Sequence, residues 1–338
     1  MNRFDYVRPA TVADAVQAAA GHVGARFIAG GTNLVDLMKY NVERPTRLVD
    51  LNRLPELRTI TETGGGLRIG ALVTNSQLAY DDRVEQRYPL LSRAILSGAT
   101  AQLRNAASTG GNLLQRTRCY YFYDPATPCN KRDPRSGCGA IGGVNRIHAI
   151  LGASPACIAT HPSDMCVALA ALEATVHVAG PGGERRIAFA EFHRLPGDTP
   201  ERDTNLEPGE IVLAVELPQR GFPERYTYLK LRDRLSYAFA LVSVAVALEM
   251  NAGQVTTARI ALGGVAHKPW RVPDAEAALE GKPAGRDGFE RAAELILAGA
   301  QGHDGNAFKI ELARRAVLRA LSQAAAGTPQ TVADKRVK

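Results

Sequence analysis

The 338-residue sequence contains no run of about 18 uncharged apolar residues, which excludes a membrane-spanning helix. It has one Trp, ten Tyr and nine Phe. So few stacking platforms, with no long Lys/Arg run, argue against a nucleic-acid partner. The start, Met1 to Tyr6, has no apolar stretch of the signal-peptide kind, so no secretory signal of the chain's own is expected. G-x-G-x-x-G, the P-loop spacing, H-E-x-x-H, G-x-S-x-G and C-x-x-C are all missing. A Rossmann site, zincin or serine-hydrolase chemistry and a tight zinc knuckle therefore lack support.

What is present is a globular composition, 45% hydrophobic and 22% charged, long enough for about two domains. The formal charge of +7 fits a mildly basic protein or one with an anionic ligand. Thr11 caps an expected helix over 11–20, and a strand at 25–29 runs through Gly30-Gly31 into a helix at 34–39. Strands are expected at 47–51 and 67–74, and helices at 76–80 and 89–99. A further helix starts at Ser163 or Asp164 and runs to Leu172. A hairpin turns at Gly180 to Gly183. From near Gly221, strands at 225–231, 240–250 and 256–263 precede helices at 274–279, 289–297 and 308–324. The tail over 328–338 is polar. Strands followed by helices read as α+β.

Three groups of residues carry chemistry. Ala29-Gly30-Gly31-Thr32-Asn33 ends a strand, where paired glycines let backbone N–H groups approach a phosphate. Ser108-Thr109-Gly110-Gly111-Asn112 repeats that character, so the two turns together suggest a grip on a diphosphate. The third is Cys119, Cys129, Cys138 and Cys157, spaced C-x9-C-x8-C-x18-C in a Pro/Gly-broken stretch over 116–162. Six cations (Arg116, Arg118, Lys131, Arg132, Arg135 and Arg146) share the segment 116–146 with Asp124 and Asp133. Four thiolates with nearby cations suit a four-cysteine iron–sulfur cluster. Zinc and free buried thiols stay open on spacing alone. Cys166, the fifth cysteine, sits in an apolar helix and reads as a small core residue. His161 reads as a loop histidine, and Lys230 on its own residues as an exposed strand lysine.

Phe27 to Leu34, Leu103-Arg104-Asn105 with Ser108 to Asn112, Pro162-Ser163-Asp164 with Ala168 to Ala174, Glu210 to Leu213 through Leu217-Pro218, and Tyr228 to Arg232 occur in one order. Together they resemble the FAD-binding medium subunit of the xanthine dehydrogenase family of molybdenum hydroxylases. The 51 residues between Asn112 and Asp164 hold all four clustered cysteines. That insertion is similar to the one in the periplasmic aldehyde oxidoreductase branch, where it carries a [4Fe–4S] cluster. The beta subunit of 4-hydroxybenzoyl-CoA reductase is the nearest rival, and a zinc-stapled interaction subunit is another.

The resemblance implies an α+β chain. A two-part FAD-binding domain of vanillyl-alcohol-oxidase (PCMH) type would span 1–220, with the iron–sulfur insertion at 116–162. A C-terminal α+β domain, an antiparallel sheet with helices, would follow at 221–327. It implies that Arg26, Phe27, Ile28, Ala29, Gly30, Gly31, Thr32, Asn33 and Leu34 wrap the FAD diphosphate. Ser108, Thr109, Gly110, Gly111 and Asn112 would make the second grip. Asp164 would accept from the ribityl or ribose side, Ile211 would pack near the adenine, and Lys230 would lie by the isoalloxazine. Cys119, Cys129, Cys138 and Cys157 would ligate the cluster. The partners implied are a molybdenum-cofactor large subunit and a [2Fe–2S] small subunit, in a heterotrimer that oxidises an aldehyde. This chain would pass their electrons to an external acceptor and would not oxidise aldehyde alone. A periplasmic location is implied through co-export with a signal-bearing partner, with the cytoplasm as the alternative.

Overall fold

The computed structural model describes residues 1–328 and 330, so the expected tail lies almost wholly outside the described residues. The first unit is a parallel sheet of β1 (Asp5–Val7), β2 (Ala25–Ile28) and β3 (Arg47–Asp50), with β3 central. Helix α1 (Val12–Ala20) crosses from β1 to β2. Thr11 caps it by accepting from Asp14 N–H at 3.1 Å, the role its sequence position gave it. Helix α2 (Leu34–Lys39) follows the Gly30-Gly31 turn.

The second unit is a five-stranded antiparallel sheet built from β4 (Ile60–Thr63), β5 (Gly66–Gly70), β6 (Thr175–Gly180), β7 (Gly183–Ala188) and β8 (Ile211–Leu217), ordered β4-β5-β8-β6-β7. The strand expected over 67–74 stops at Gly70. Ala71 N–H still reaches Leu213 O, but Val73 N–H turns back to Gly70 O. Thr74 then caps α3 (Asn75–Ala79) in a reciprocal box with Gln77. The unit also holds α4 (Asp82–Arg87), α5 (Pro89–Ser97), α6 (Ala101–Ala106), α7 (Thr109–Leu113), the single turn α8 (Tyr120–Tyr123), α9 (Asp164–Ala171) and α10 (Phe189–Phe192). The run Met165–Ala171 in α9 is buried throughout, because the helix is sandwiched between this unit and the C-terminal sheet.

The C-terminal unit is an antiparallel sheet of β9 (Arg225–Leu231), β10 (Val242–Asn251), β11 (Gln254–Gly263) and β12 (Trp270–Arg271), covered by α11 (Pro273–Ala277), α12 (Arg286–Ile296) and α13 (Phe308–Ala325). Ala252 and Gly253 both take positive φ between β10 and β11, the backbone that a two-residue hairpin turn demands. The architecture is the expected α+β one. Among the described residues its apolar interior falls into four clusters: three centred on the units but reaching across their boundaries, and a fourth in the cysteine-bearing insertion that also takes in Leu37.

Phe192 is fully buried, edge-on to the His193 ring at 4.9 Å. Phe192→Ala removes that packing and should lower unfolding stability by about 3–5 kcal/mol. Urea denaturation checks this, and a loss below 1 kcal/mol would mean the site collapses around the deletion.

Candidate functional site

Two turns that are distant in sequence meet at one cleft of about 380 Å³. Its lining includes Arg26 to Leu34 from the β2–α2 turn and Ser108, Gly110 and Gly111 from the start of α7. Glu43, Arg116 and Ile211 complete the wall. The meeting depends on Gly30: a Cβ there would lie 1.8 Å from Ala106 O, so any side chain forces the turns apart. Gly31 takes φ +71° and swings the chain into α2. Gly110 and Gly111 lie inside a helix despite their poor helical propensity. At Gly110 a Cβ would press on Ala71 at 3.1 Å, so close packing outweighs propensity.

The turn is unfinished as it stands. The backbone N–H groups of Gly30, Gly31, Thr32 and Asn33 have no partner among the described residues. Asn33 Nδ2 is buried and also unpartnered, while its Oδ1 accepts from Arg116 N–H at 2.9 Å. A row of unpaired donors with two arginines in the wall fits an anionic ligand such as a diphosphate. An Ile211–Leu34 apolar lining fits a ring system beside it.

Not every expected residue faces the cleft. Thr109 is buried and spends its hydroxyl on Val73 O at 2.9 Å. Asn112 donates to Asn75 Oδ1 at 2.8 Å and accepts from Ser163 at 2.5 Å, tying α3, α7 and α9 together. Asp164 and Lys230 pair with each other at 2.7 Å, both nearly buried. Tyr228 donates to the second Asp164 oxygen at 2.6 Å, and Lys230 also donates to Ser97 O at 3.1 Å. Lys230 is therefore not an exposed strand lysine, and neither it nor Asp164 lines the cleft.

The four clustered cysteines converge. Cys119, Cys129, Cys138 and Cys157 line one small cavity with Lys131, Phe122 and Ala140. None is in a disulfide, and Cys119, Cys129 and Cys157 are buried. Cys129 and Cys138 pair as an isolated antiparallel bridge, with Asn130 N–H donating to Gly137 O at 2.7 Å. Burial pushes the Cys119 thiol up to about 12. Burial likewise lifts Cys157 to about 11, against the opposing pull of Lys131. Such groups stay protonated unless a metal takes the proton's place. Tetrahedral zinc with Zn–S near 2.3 Å holds its sulfurs about 3.8 Å apart. Among the described residues no three of these sulfurs lie within 4.8 Å of one another.

One ion chain joins the two sites, and the sequence motifs did not flag it. Arg116 pairs with Glu43 in the cleft wall and with Asp203 at 2.5 Å. Asp203 also holds Lys131 at 2.5 Å, in the cysteine cavity. Burial pushes the Asp203 carboxyl up, but Arg116 and Lys131 outweigh it and hold the group well below the usual carboxylate range. The density of cations at 116–146 was the one visible signal. Glu43 and Asp203 lie too far along the chain for spacing to connect them.

His161, Cys166 and His193 also place ligand atoms within 4.8 Å of one another. Ser163 N–H donates to His161 Nδ1, leaving Nε2 protonated, and His193 Nε2 donates to Leu113 O, leaving Nδ1 as a lone pair. The two remaining nitrogens, His161 Nε2 and His193 Nδ1, are buried without a hydrogen-bond partner among the described residues, on rings whose centroids lie 4.4 Å apart.

Comparisons with known proteins give the family of the chain. Residues 2–220 match the family model described as FAD binding domain in molybdopterin dehydrogenase. Residues 226–324 match the CO dehydrogenase flavoprotein C-terminal domain. The chain is 50% identical to the aldehyde oxidoreductase FAD-binding subunit PaoB of Escherichia coli K12, over 96% of this chain and 99% of that subunit. It is 29% identical to the carbon monoxide dehydrogenase medium chain of Afipia carboxidovorans, over 95% and 98% of the two chains. A solved carbon monoxide dehydrogenase from Hydrogenophaga pseudoflava superposes with TM-score 0.76 at 28% identity, covering 96% and 98% of the two chains.

His193 and His267 are buried and held near 4, in both mainly by burial and in His267 also by Lys131. Unfolded histidine titrates near 6.5, so below that pH the unfolded chain binds more protons. Stability should fall as pH drops from about 6.5 to about 4, by up to about 1.4 kcal/mol per pH unit for each ring. His193→Gln should flatten that slope in urea unfolding across pH. An unchanged slope would remove His193 from the account.

Proposed function

Because this chain belongs to the FAD-binding subunits of the molybdopterin dehydrogenase family, we propose that it is the FAD- and [4Fe–4S]-binding electron-transfer subunit of a molybdenum-containing aldehyde oxidoreductase. The observation that carries this reading is the pairing of two sites. A cleft with four unpaired backbone N–H groups lies beside a cavity lined by four free cysteines, and Arg116, Asp203 and Lys131 bridge them.

The residues present fit FAD. Gly30 to Asn33 would hold the diphosphate by backbone donors, and Arg26 and Arg116 would offset its charge. Ser108, Gly110 and Gly111 would close the second side, and Ile211 would supply an apolar wall. Asp164 and Lys230 enter this account as a buried ion pair between α9 and β9, which fixes the floor of the domain. When bound, flavin accepts two electrons and releases them singly or in pairs, which suits a junction between carriers.

Cys119, Cys129, Cys138 and Cys157 would hold the cluster, and Lys131 would offset its negative charge. The absence of C-x-x-C spacing and of a close three-cysteine group among the described residues weighs against a zinc staple. The aldehyde assignment draws on the 50% identity to the aldehyde oxidoreductase subunit, whose match runs through the insertion, rather than on any substrate group in this chain. The partners would be a large molybdenum-cofactor subunit and a small [2Fe–2S] subunit, as the medium-chain relatives suggest. The periplasm belongs to the same proposal. Cell fractionation tests it: the subunit should reach the periplasm only with its partners co-expressed, and retention in the cytoplasm of cells bearing the whole complex would overturn it.

Iron, zinc and flavin content of the anaerobically purified chain tests the central reading. About four irons per FAD is the expected result. Cys157→Ser should lose iron while keeping flavin, and a zinc-bearing, iron-free chain would sink the cluster assignment. Gly30→Ala should lose flavin while keeping iron, because its Cβ would lie 1.8 Å from Ala106 O and spread the two turns. Full flavin retention in that variant would place the diphosphate elsewhere.

A further inference from the structure

We propose that His148 is a positioning residue for the centre held by the four cysteines: its Nε2–H donates to Cys119 Sγ and raises the centre's reduction potential. This rests on the [4Fe–4S] reading above. Nε2 lies 3.1 Å from the sulfur. A ligating thiolate can only accept, so ligation fixes the proton on Nε2. Nδ1 then carries the lone pair, and it has no partner among the described residues. Among the described residues the sulfur contact is thus the ring's one hydrogen bond. A hydrogen bond to a ligating sulfur stabilises the extra negative charge of the reduced centre more than that of the oxidised one.

The histidine is held with more contacts than packing requires. It is 1% exposed, and its N–H donates to Asn145 O at 2.9 Å. Its carbonyl accepts from Asn306 Nδ2 at 3.2 Å and from Lys309 Nζ at 2.7 Å. Tyr120 lies edge-on at 6.4 Å. Lys309 is a second, independent sign. It is fully buried on α13, and its hydrogen-bond partners among the described residues are the carbonyls of His148 and Gly264, the latter at 2.6 Å. Burial, with no carboxylate beside it, pushes the Lys309 ammonium down to about 7. A four-thiolate centre held by Cys119, which touches the ring of the same histidine, would supply negative charge that favours the charged form.

The test is a redox titration of the full chain followed by electron paramagnetic resonance, with iron content measured on the same samples. Wild type, His148→Leu and His148→Gln are compared. His148→Leu should keep its iron and shift the reduction equilibrium about tenfold toward the oxidised form. That is a midpoint about 59 mV lower for one electron. His148→Gln keeps a side-chain N–H and should recover at least half of the shift, which a purely structural role would not produce. Equal midpoints for wild type and His148→Leu overturn the proposal. Wild type without iron overturns the cluster reading, and this proposal with it. Should His148→Leu lose its iron, wild type labelled with ¹⁵N-histidine decides. A weak histidine nitrogen coupling to the reduced centre is expected, and its absence overturns the proposal.

Discussion

The approach of Gly30 to the backbone of Ala106 is the constraint from which the cleft follows. With no Cβ at that point, the β2–α2 turn can lie against the end of α6. That contact brings four unpaired N–H groups to face the start of α7, some 80 residues later in sequence. An unpaired row of donors is unstable as a buried feature. It persists because it opens on a cleft, where solvent or an anionic ligand satisfies it. The same turn sends α2 away so that Leu37 lines the cleft on one side and packs against Cys119, Phe122 and Cys157 on the other.

The insertion depends on charge where the cleft depends on a missing side chain. A Pro/Gly-broken segment has little regular hydrogen bonding to hold it. Side chains do that work instead: Arg132 donates to Tyr121 O and Phe122 O, Asn130 to Ala156 O, and Lys131 to Pro200 O. Arg116 and Lys131 share Asp203, so the insertion is clamped at both its cleft end and its cysteine end by one carboxylate. Removing a partner from such a pair leaves a charge with no compensation, which costs more than the pair itself contributes. Arg116, Arg118, Arg132 and Arg146 thus serve structure first, and of the segment's six cations Lys131 is the one that lines the cysteine cavity.

Much of this was legible in the sequence. Thr11, Ser163 and the Gly180–Gly183 hairpin announced their elements through cap and turn chemistry, which acts over three or four residues. The two glycine turns and the four cysteines were legible as groups because their residue types are rarely assembled for packing alone. What stayed hidden depends on partners far away in the chain. Gly110-Gly111 read as a turn, but they lie in a helix capped by Ser108, where Ala71 leaves no room for a side chain at Gly110. Lys230 read as exposed on its own residues, yet Asp164 buries it. Glu43 and Asp203 carried no motif at all. Short elements such as β1, β4 and α6 were missed because three to six residues give too little periodicity to separate from a loop.

The C-terminal unit is more than a second domain beside the first. Ile150 and Leu151 of the insertion pack into its core, and both their N–H groups bond Val265 O, at 2.9 and 3.0 Å. His161 N–H bonds Ala266 O at 3.0 Å, and Gln301 N–H reaches back to Ile150 O at 2.8 Å. Asn306 bonds the carbonyls of both His148 and Ala149. The four cysteines thus sit on a segment whose near end belongs to the cleft and whose far end belongs to the C-terminal unit. Neither unit presents that cavity by itself. A chain cut near residue 220 keeps every cysteine and both glycine turns, yet loses the carbonyls and side chains that fix residues 145–161. By this argument the two sites come as a pair because one irregular segment, anchored in both units, cannot be built without either of them.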